Sequence, residues 1–348
     1  MESGRIITVF GAYGHTGRFV VSELHKRGWR AILSGRNRAK LEALHRIYAE
    51  FDVRDASVEE PAALDRALAG ASAVINCAGP FADTAIPVVE AALRAGIHYL
   101  DVAAEQPAVL AVFERIVETA RAAHVAVLPA MAFYGALGDL LATTAIKDWA
   151  TADEISVAVA LDSWRPTNGT RLTGKRNSGQ HLILSDNRLQ RGDPPPRKWN
   201  FPSPFGTQEV VGLPLAETIM ISHHLRTPEI RSYINASSLA DIRDPKTPPP
   251  TPADESGRSS QIFVMDVVVR QGGAERRAMA AGQDIYAISA PIVVEAADRV
   301  LSGLVKSSGV MAPGEVFDAR DFLTCLSPAL SLEILGVSDS NFTASKSR

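Results

Sequence analysis

The sequence predicts an α/β protein in which a doubly wound parallel sheet is followed by a second, smaller α+β domain. Three observations carry this. Apolar runs alternate with stretches of helical spacing over residues 1–134; a glycine-rich turn joins the first run to the first helical stretch; and beyond about residue 135 the alternation gives way to a hairpin pattern and proline-rich stretches. Strict alternation implies parallel strands, because parallel neighbours need crossover connections and helices supply them. The chain of 348 residues, 46% of them hydrophobic, suffices for two units with cores of their own.

Taken in order, the expected strands are 6–10, 31–34, 48–53, 73–76, 98–102 and 125–129. Helical spacing covers 17–27, 39–44, 61–68, 85–95 and 108–122 between them. In the second domain, residues 135–284, the runs 154–161 and 261–270 read as strands, and Gln271-Gly272-Gly273 turns the latter into a hairpin with 276–283. Two proline-rich stretches, 192–206 and 244–257, read as exposed loops over a site, since proline neither donates to a ladder nor continues a helix. "SWRPTNGTRLTGKRN" (163–177) gathers Arg165, Arg171, Lys175 and Arg176 and reads as a polar turn, the alternative being a site for a substrate carboxylate. Its Gly169, Gly174 and Lys175 miss a phosphate loop, because Arg176 stands where Ser or Thr would hold magnesium. Residues 285–348 are expected to supply helices, 290–305 and 318–326, that pack back on the first domain.

The turn in "ITVFGAYGHTGRFVVSELHKRGW" (7–29) decides the type of the first domain. A strand ends at Phe10 and a helix follows, with Gly11, Gly14 and Gly17 between or just inside them. The first glycine permits the bend, the second lets a pyrophosphate approach the backbone, and the third lets the helix sit close to the sheet. The helix N-terminus then offers unpaired N–H groups and partial positive charge. The loop, with Tyr13, His15 and Thr16 among its glycines, is a dinucleotide cradle, and residues 1–134 are a Rossmann-type domain.

The end of the second strand points to NADP. An Asp or Glu there would hold a ribose 2′-hydroxyl, whereas "SGRNR" supplies Ser34, Arg36, Asn37 and Arg38 and no acid, which suits a 2′-phosphate. Further cofactor contacts are expected from Asp52 and Val53 after the third strand. Cys77, Ala78, Gly79 and Pro80 after the fourth would lie beside the nicotinamide ribose.

Composition narrows the remaining classes. A net charge of -3 and a pI near 6.3 give no field to gather nucleic acid or an acidic membrane. Two distant cysteines and no address-like segment are expected of a cytoplasmic protein, and neither a metal site nor a disulfide framework is spaced for. His223 and His224 are adjacent and cannot share a helix face, so they make no metal pair.

At "GAYGHTGR", "LSGRNRAKLEAL", "VINCAGPFADTAIPVVEAALRAGIHYLDVAAE" and "PAMAFYGALGDLLA" the chain resembles the saccharopine dehydrogenase-like family, through its NADP-binding domain and relatives such as trans-acting enoyl reductases. The resemblance covers residues 5–142. It implies nicotinamide-dependent reduction of an imine, enoyl, keto or related group, by a homodimer acting on a small molecule. Many relatives carry an acidic residue and then Ser or similar where this chain has Tyr134-Gly135, so the substrate does not carry over.

Hydride transfer draws much of its rate from orientation, so a strong acid–base signature is not obligatory. No tyrosine has a lysine four positions on, which excludes the short-chain dehydrogenase dyad. Candidates by position are Asp101 and Glu105 to orient a substrate amine and Tyr134 to donate a proton, with Tyr99 and Arg171 as substrate contacts. The competing reading is a sensor that binds NADP without turnover.

Overall fold

The computed structural model describes residues 5–339 except 178 and 180. The first half alternates as expected: β1 (Ile6–Phe10), α1 (His15–Lys26), β2 (Arg30–Gly35), α2 (Arg38–His45), β3 (Asp52–Asp55), α3 (Pro61–Leu68), β4 (Ala73–Asn76), α4 (Phe81–Ala95), β5 (His98–Asp101), α5 (Gln106–Ala122) and β6 (Ala126–Leu128). A π-helical turn, Phe133–Leu137, then runs into α6 (Gly138–Ile146).

The second half contains β7 (Glu154–Leu161), α7 (Asn168–Asn177), β8 (Leu182–Ser185), β9 (Arg188–Arg191), β10 (Arg197–Asn200), β11 (Thr207–Gly212), α8 (Ala216–His224), β12 (Ile230–Asn235), α9 (Ala236–Arg243), β13 (Ile262–Gln271) and β14 (Ala274–Gln283). It closes with α10 (Ser289–Leu301), β15 (Gly309–Val310), α11 (Pro313–Val316), α12 (Ala319–Cys325) and β16 (Leu330–Asp339).

The first sheet is parallel in the order β15-β6-β5-β4-β1-β2-β3. Its strand order reverses between β1 and β4, and such a switch point opens a crevice at the carboxyl ends of the strands. The second sheet is mixed, in the order β10-β11-β12-β7-β13-β14-β16, with β7 and β12 parallel and the β13–β14 hairpin antiparallel. One apolar cluster joins the two units, from Ile7 and Val9 through Ile292 and Val293 of α10 to Val267 and Val269 of β13. Among the described residues no helix is long and apolar enough to cross a membrane.

Four expectations are corrected. The third strand begins at Asp52, because Tyr48 to Phe51 form the turn that seats Phe51 in the core. The stretch 192–206 is not all loop: Arg197–Asn200 pairs with β11 as an edge strand and buries Trp199, an edge being where neighbouring prolines are tolerated. The polar turn at 163–177 is in large part the helix α7. The C-terminal segment is not only helical, since β15 extends the first sheet and β16 edges the second. Its helix α10 does return to the first domain, where Arg27 of α1 pairs with Glu295 at 2.8 Å and Asp298 at 2.7 Å.

Candidate nucleotide and substrate cleft

At the switch point the loops after β1 and β4 touch. Gly11 has φ +85°, and a Cβ there would stand 2.8 Å from the Ala78 nitrogen, so the bend and the contact both require glycine. A Cβ on Gly17 would stand 2.2 Å from the Gly11 carbonyl oxygen, which is how closely α1 sits on the loop. Gly14 is the N-cap of α1, with no side-chain cap and no acid in the first turn. The first-turn N–H groups are thus left to a ligand, and a pyrophosphate fits this side-chain-free cradle.

A cleft of about 1790 Å³ runs from this loop to the second domain. Gly11, Tyr13, Gly14, His15 and Thr16 line it, as do Cys77, Ala78, Gly79 and Pro80. At the β2 end Arg36 and Lys40 both line it, with the Lys40 Nζ 5.6 Å from the Tyr13 ring centroid. Sequence reasoning does not mark Lys40; the available signal is a third cation, four positions after Arg36. Ser57, Val58 and Glu59 of the β3–α3 loop also line this end, and no sequence signal marked them.

Other expected contacts stand off the wall. Arg38 turns away to Glu42 at 2.7 Å and Asp55 at 3.0 Å. Asn37 caps α2, its Oδ1 accepting from the Lys40 N–H. Ser34 is buried, and its carbonyl accepts the N–H groups of Gly11 and Ala12. Gly17 packs inward, the exposed Asp52 lies 3.8 Å from Arg54, and Val53 sits within β3.

The chemistry candidates separate. Asp101 is 1% exposed and does not reach the cleft: Oδ1 accepts from the Ala103 and Ala130 N–H groups, and Oδ2 from the Tyr99 hydroxyl. Burial pushes its pKa up to about 6. Tyr99 is likewise core, its hydroxyl also accepting from Asn76, and burial raises its pKa. These two brace the loops after β4, β5 and β6 instead of meeting substrate, because strand side chains alternate between faces and theirs point into the domain. Glu105 does line the cleft, but its carboxylate accepts from the Phe81 N–H, the Ala82 N–H and Thr173 Oγ1. It therefore ties α7 of the second domain to the start of α4. Burial, then the nearby Asp101, keeps the Cys77 thiol protonated.

Tyr134 lines the cleft in the π-helical turn, yet its hydroxyl is sealed from solvent and has no hydrogen-bond partner. Burial, and then the charge of Glu217, raise its pKa. Glu217 of α8 packs against Gly138, the first residue of α6 just after that turn; its Oε1 accepts from the Leu215 N–H at 2.9 Å, while Oε2 has no partner. Burial pushes Glu217 up to about 7. His15 places its ring edge to face with Phe19 and Tyr286, and burial lowers its pKa.

The second domain contributes a wall the sequence did not mark as site: Trp164, Thr167, Thr170, Leu239, Ile242 and Tyr286. Arg171 lines it too, but its Nη2 donates to the carbonyls of Asp244 at 3.2 Å and Thr247 at 2.6 Å.

Residues 7–128 match the saccharopine dehydrogenase NADP-binding domain. Among characterised relatives, the human saccharopine dehydrogenase-like oxidoreductase is 28% identical over 119 residues, covering 28% of this chain and 27% of the relative, and its mouse counterpart is 29% identical over the same coverage. The chain thus matches only about a quarter of their length. Among solved structures, apo saccharopine dehydrogenase (L-Glu forming) from Saccharomyces cerevisiae superposes with a TM-score of 0.68 at 12% identity, over 96% of this chain and 100% of that one, a likeness of fold alone. Residues 7–128 thus match an NADP-binding domain of saccharopine dehydrogenase type, and the chain shares that enzyme's two-domain fold.

Proposed function

We propose that the protein is an NADP-dependent oxidoreductase that transfers hydride to or from a small organic molecule bearing an imine, enoyl or keto group. The observation that carries this is the pairing of a bare, uncapped α1 N-terminus with Arg36 and Lys40 at the end of β2, where no acid stands between residues 34 and 38. Bare amides suit a pyrophosphate, and two cations without a carboxylate suit a 2′-phosphate over a 2′-hydroxyl. The coenzyme supplies the hydride chemistry.

The chain's own residues then position and exclude. The side-chain-free bend at Gly11 and Gly14 admits the phosphates and the His15 and Thr16 amides hold them; Arg36 and Lys40 select the phosphorylated ribose; Cys77 to Pro80 line the path toward the second domain. Neither Asp101, Glu105 nor Tyr134 offers the cleft a free titratable atom, which favours catalysis by orientation with water as proton source. The same closure would suit a sensor without turnover. Loss of NADPH absorbance on adding an enone, imine or ketone supports the enzyme; tight NADPH binding with no acceptor-dependent loss across those classes sinks it in favour of the sensor.

The reading includes a homodimer, for which exposed Ile334 and Leu335 on the edge strand β16 give support.

A further inference from the structure

Resting on the nucleotide reading, a second inference concerns the part of the cleft built by the π-helical turn and the second domain. Its rings form a continuous wall: Phe133 and Tyr134 have centroids 4.9 Å apart, Tyr134 and Trp164 6.1 Å, and Tyr286 adjoins them. Most polar atoms of that wall are already used; the exceptions are the buried Tyr134 hydroxyl and the buried Nε2 of His15, whose ring packs edge to face on Tyr286. Trp164 Nε1 donates to the Tyr286 hydroxyl at 3.1 Å, that hydroxyl shares a hydrogen bond with Thr170 Oγ1 at 3.0 Å, and Thr170 shares another with Thr167 at 2.9 Å. With the Tyr134 hydroxyl sealed away, an incoming molecule meets ring faces and edges together with Leu239 and Ile242.

The charged groups nearest this wall already have partners. Glu105, 3% exposed, already carries three hydrogen bonds, and Arg171 is engaged with two backbone carbonyls. Lys175 and Arg243 line the cleft only as exposed residues. A carboxylate drawn against the rings would lose its hydration without a buried, unengaged cation among the described residues to replace it. A neutral planar group loses little and gains ring contacts.

We propose that this chamber binds a flat, uncharged, conjugated acceptor of the aryl-enone, aryl-enoyl amide or aryl-imine class, and discriminates against amino acids and other small carboxylates. The test is calorimetric titration of the full chain with trans-cinnamamide and trans-cinnamate, which share a skeleton and differ in charge, each with and without saturating NADP⁺. The expected result is that the amide binds both forms, at least about tenfold more tightly than the acid. Trp164→Ala should weaken the amide by about tenfold or more and Trp164→Phe should retain it, with NADP⁺ affinity unchanged in both. Equal or tighter binding of cinnamate, no binding of the amide, displacement of the amide by NADP⁺, or indifference to Trp164→Ala would each overturn the proposal. Failure of NADP⁺ to bind the wild type would instead sink the nucleotide reading, and the titrations without coenzyme would still decide the chamber's preference by the same criteria.

Discussion

Lys40 and Arg38 lie two positions apart and have opposite fates, one on the cleft wall and one tied to Glu42 and Asp55 outside it. Composition and spacing could place a basic cluster after β2 but not say which cations face inward, since that depends on where α2 starts; Asn37 capping the Lys40 amide sets that start. Lys40→Ala and Arg36→Ala should each weaken NADP⁺ binding by about tenfold to a hundredfold, the range for a charge-assisted hydrogen bond, and leave NAD⁺ binding little changed. Arg38→Ala should alter neither, and parallel calorimetry of the three variants checks all of this. Gly17→Ala would set a methyl 2.2 Å from the Gly11 carbonyl, so α1 would have to shift; thermal melting should show a large loss of stability. Glu217 gives a pH dependence of defined sign. Its folded pKa of about 7 lies above its ordinary 4.5, so the folded form binds the proton more tightly. The stabilisation is full below pH about 4.5 and is lost as pH rises through about 7, amounting to at most about 3 kcal/mol. Glu217→Gln, which cannot ionise, should melt higher than the wild type at pH 8 and no higher at pH 5; equal melting at both pH values would contradict a buried titrating carboxyl.

Elements with strong periodicity were legible and short polar ones were not. Helices α3 and α4 bury apolar stripes that the 3.6-residue spacing exposes at once, and the β13–β14 hairpin is announced by Gly272-Gly273. Helix α7 has no such stripe, since residues 168–177 are almost wholly polar; tertiary bonds hold it where propensity does not. Those bonds are Thr173 to Glu105, Arg176 to Asp83, and Arg171 to the carbonyls of Asp244 and Thr247. Such non-local pairs cannot be read from a linear pattern, which is why the tie that Glu105 makes between the domains was not legible in the sequence. Glu105→Ala should therefore strip the acceptors from the Phe81 and Ala82 amides and release α7. Limited trypsinolysis should cut faster after Lys175 and Arg176 in that variant, while unchanged cleavage would show that α7 holds without the tie.

Across the whole molecule, the parallel sheet and its switch point followed from alternation and three glycines, whereas the partner sheet did not, because its strands β7, β12 and β13 are neighbours in space but far apart in sequence. The same reason hid the cleft's second wall: Trp164 and Tyr286 are joined by a hydrogen bond across 122 positions. The edge strand β16 leaves Ile334 and Leu335 exposed, and sedimentation should find a dimer that Ile334→Lys with Leu335→Lys converts to monomer; a monomeric wild type would contradict the homodimer. The central claim is that amides after β1 and cations after β2 jointly grip a phosphorylated dinucleotide. Calorimetry of the wild-type chain with NADPH and NADH tests it most directly. The account predicts binding of NADPH at least about tenfold tighter than NADH; no heat with either coenzyme, or NADH bound as tightly, would contradict it.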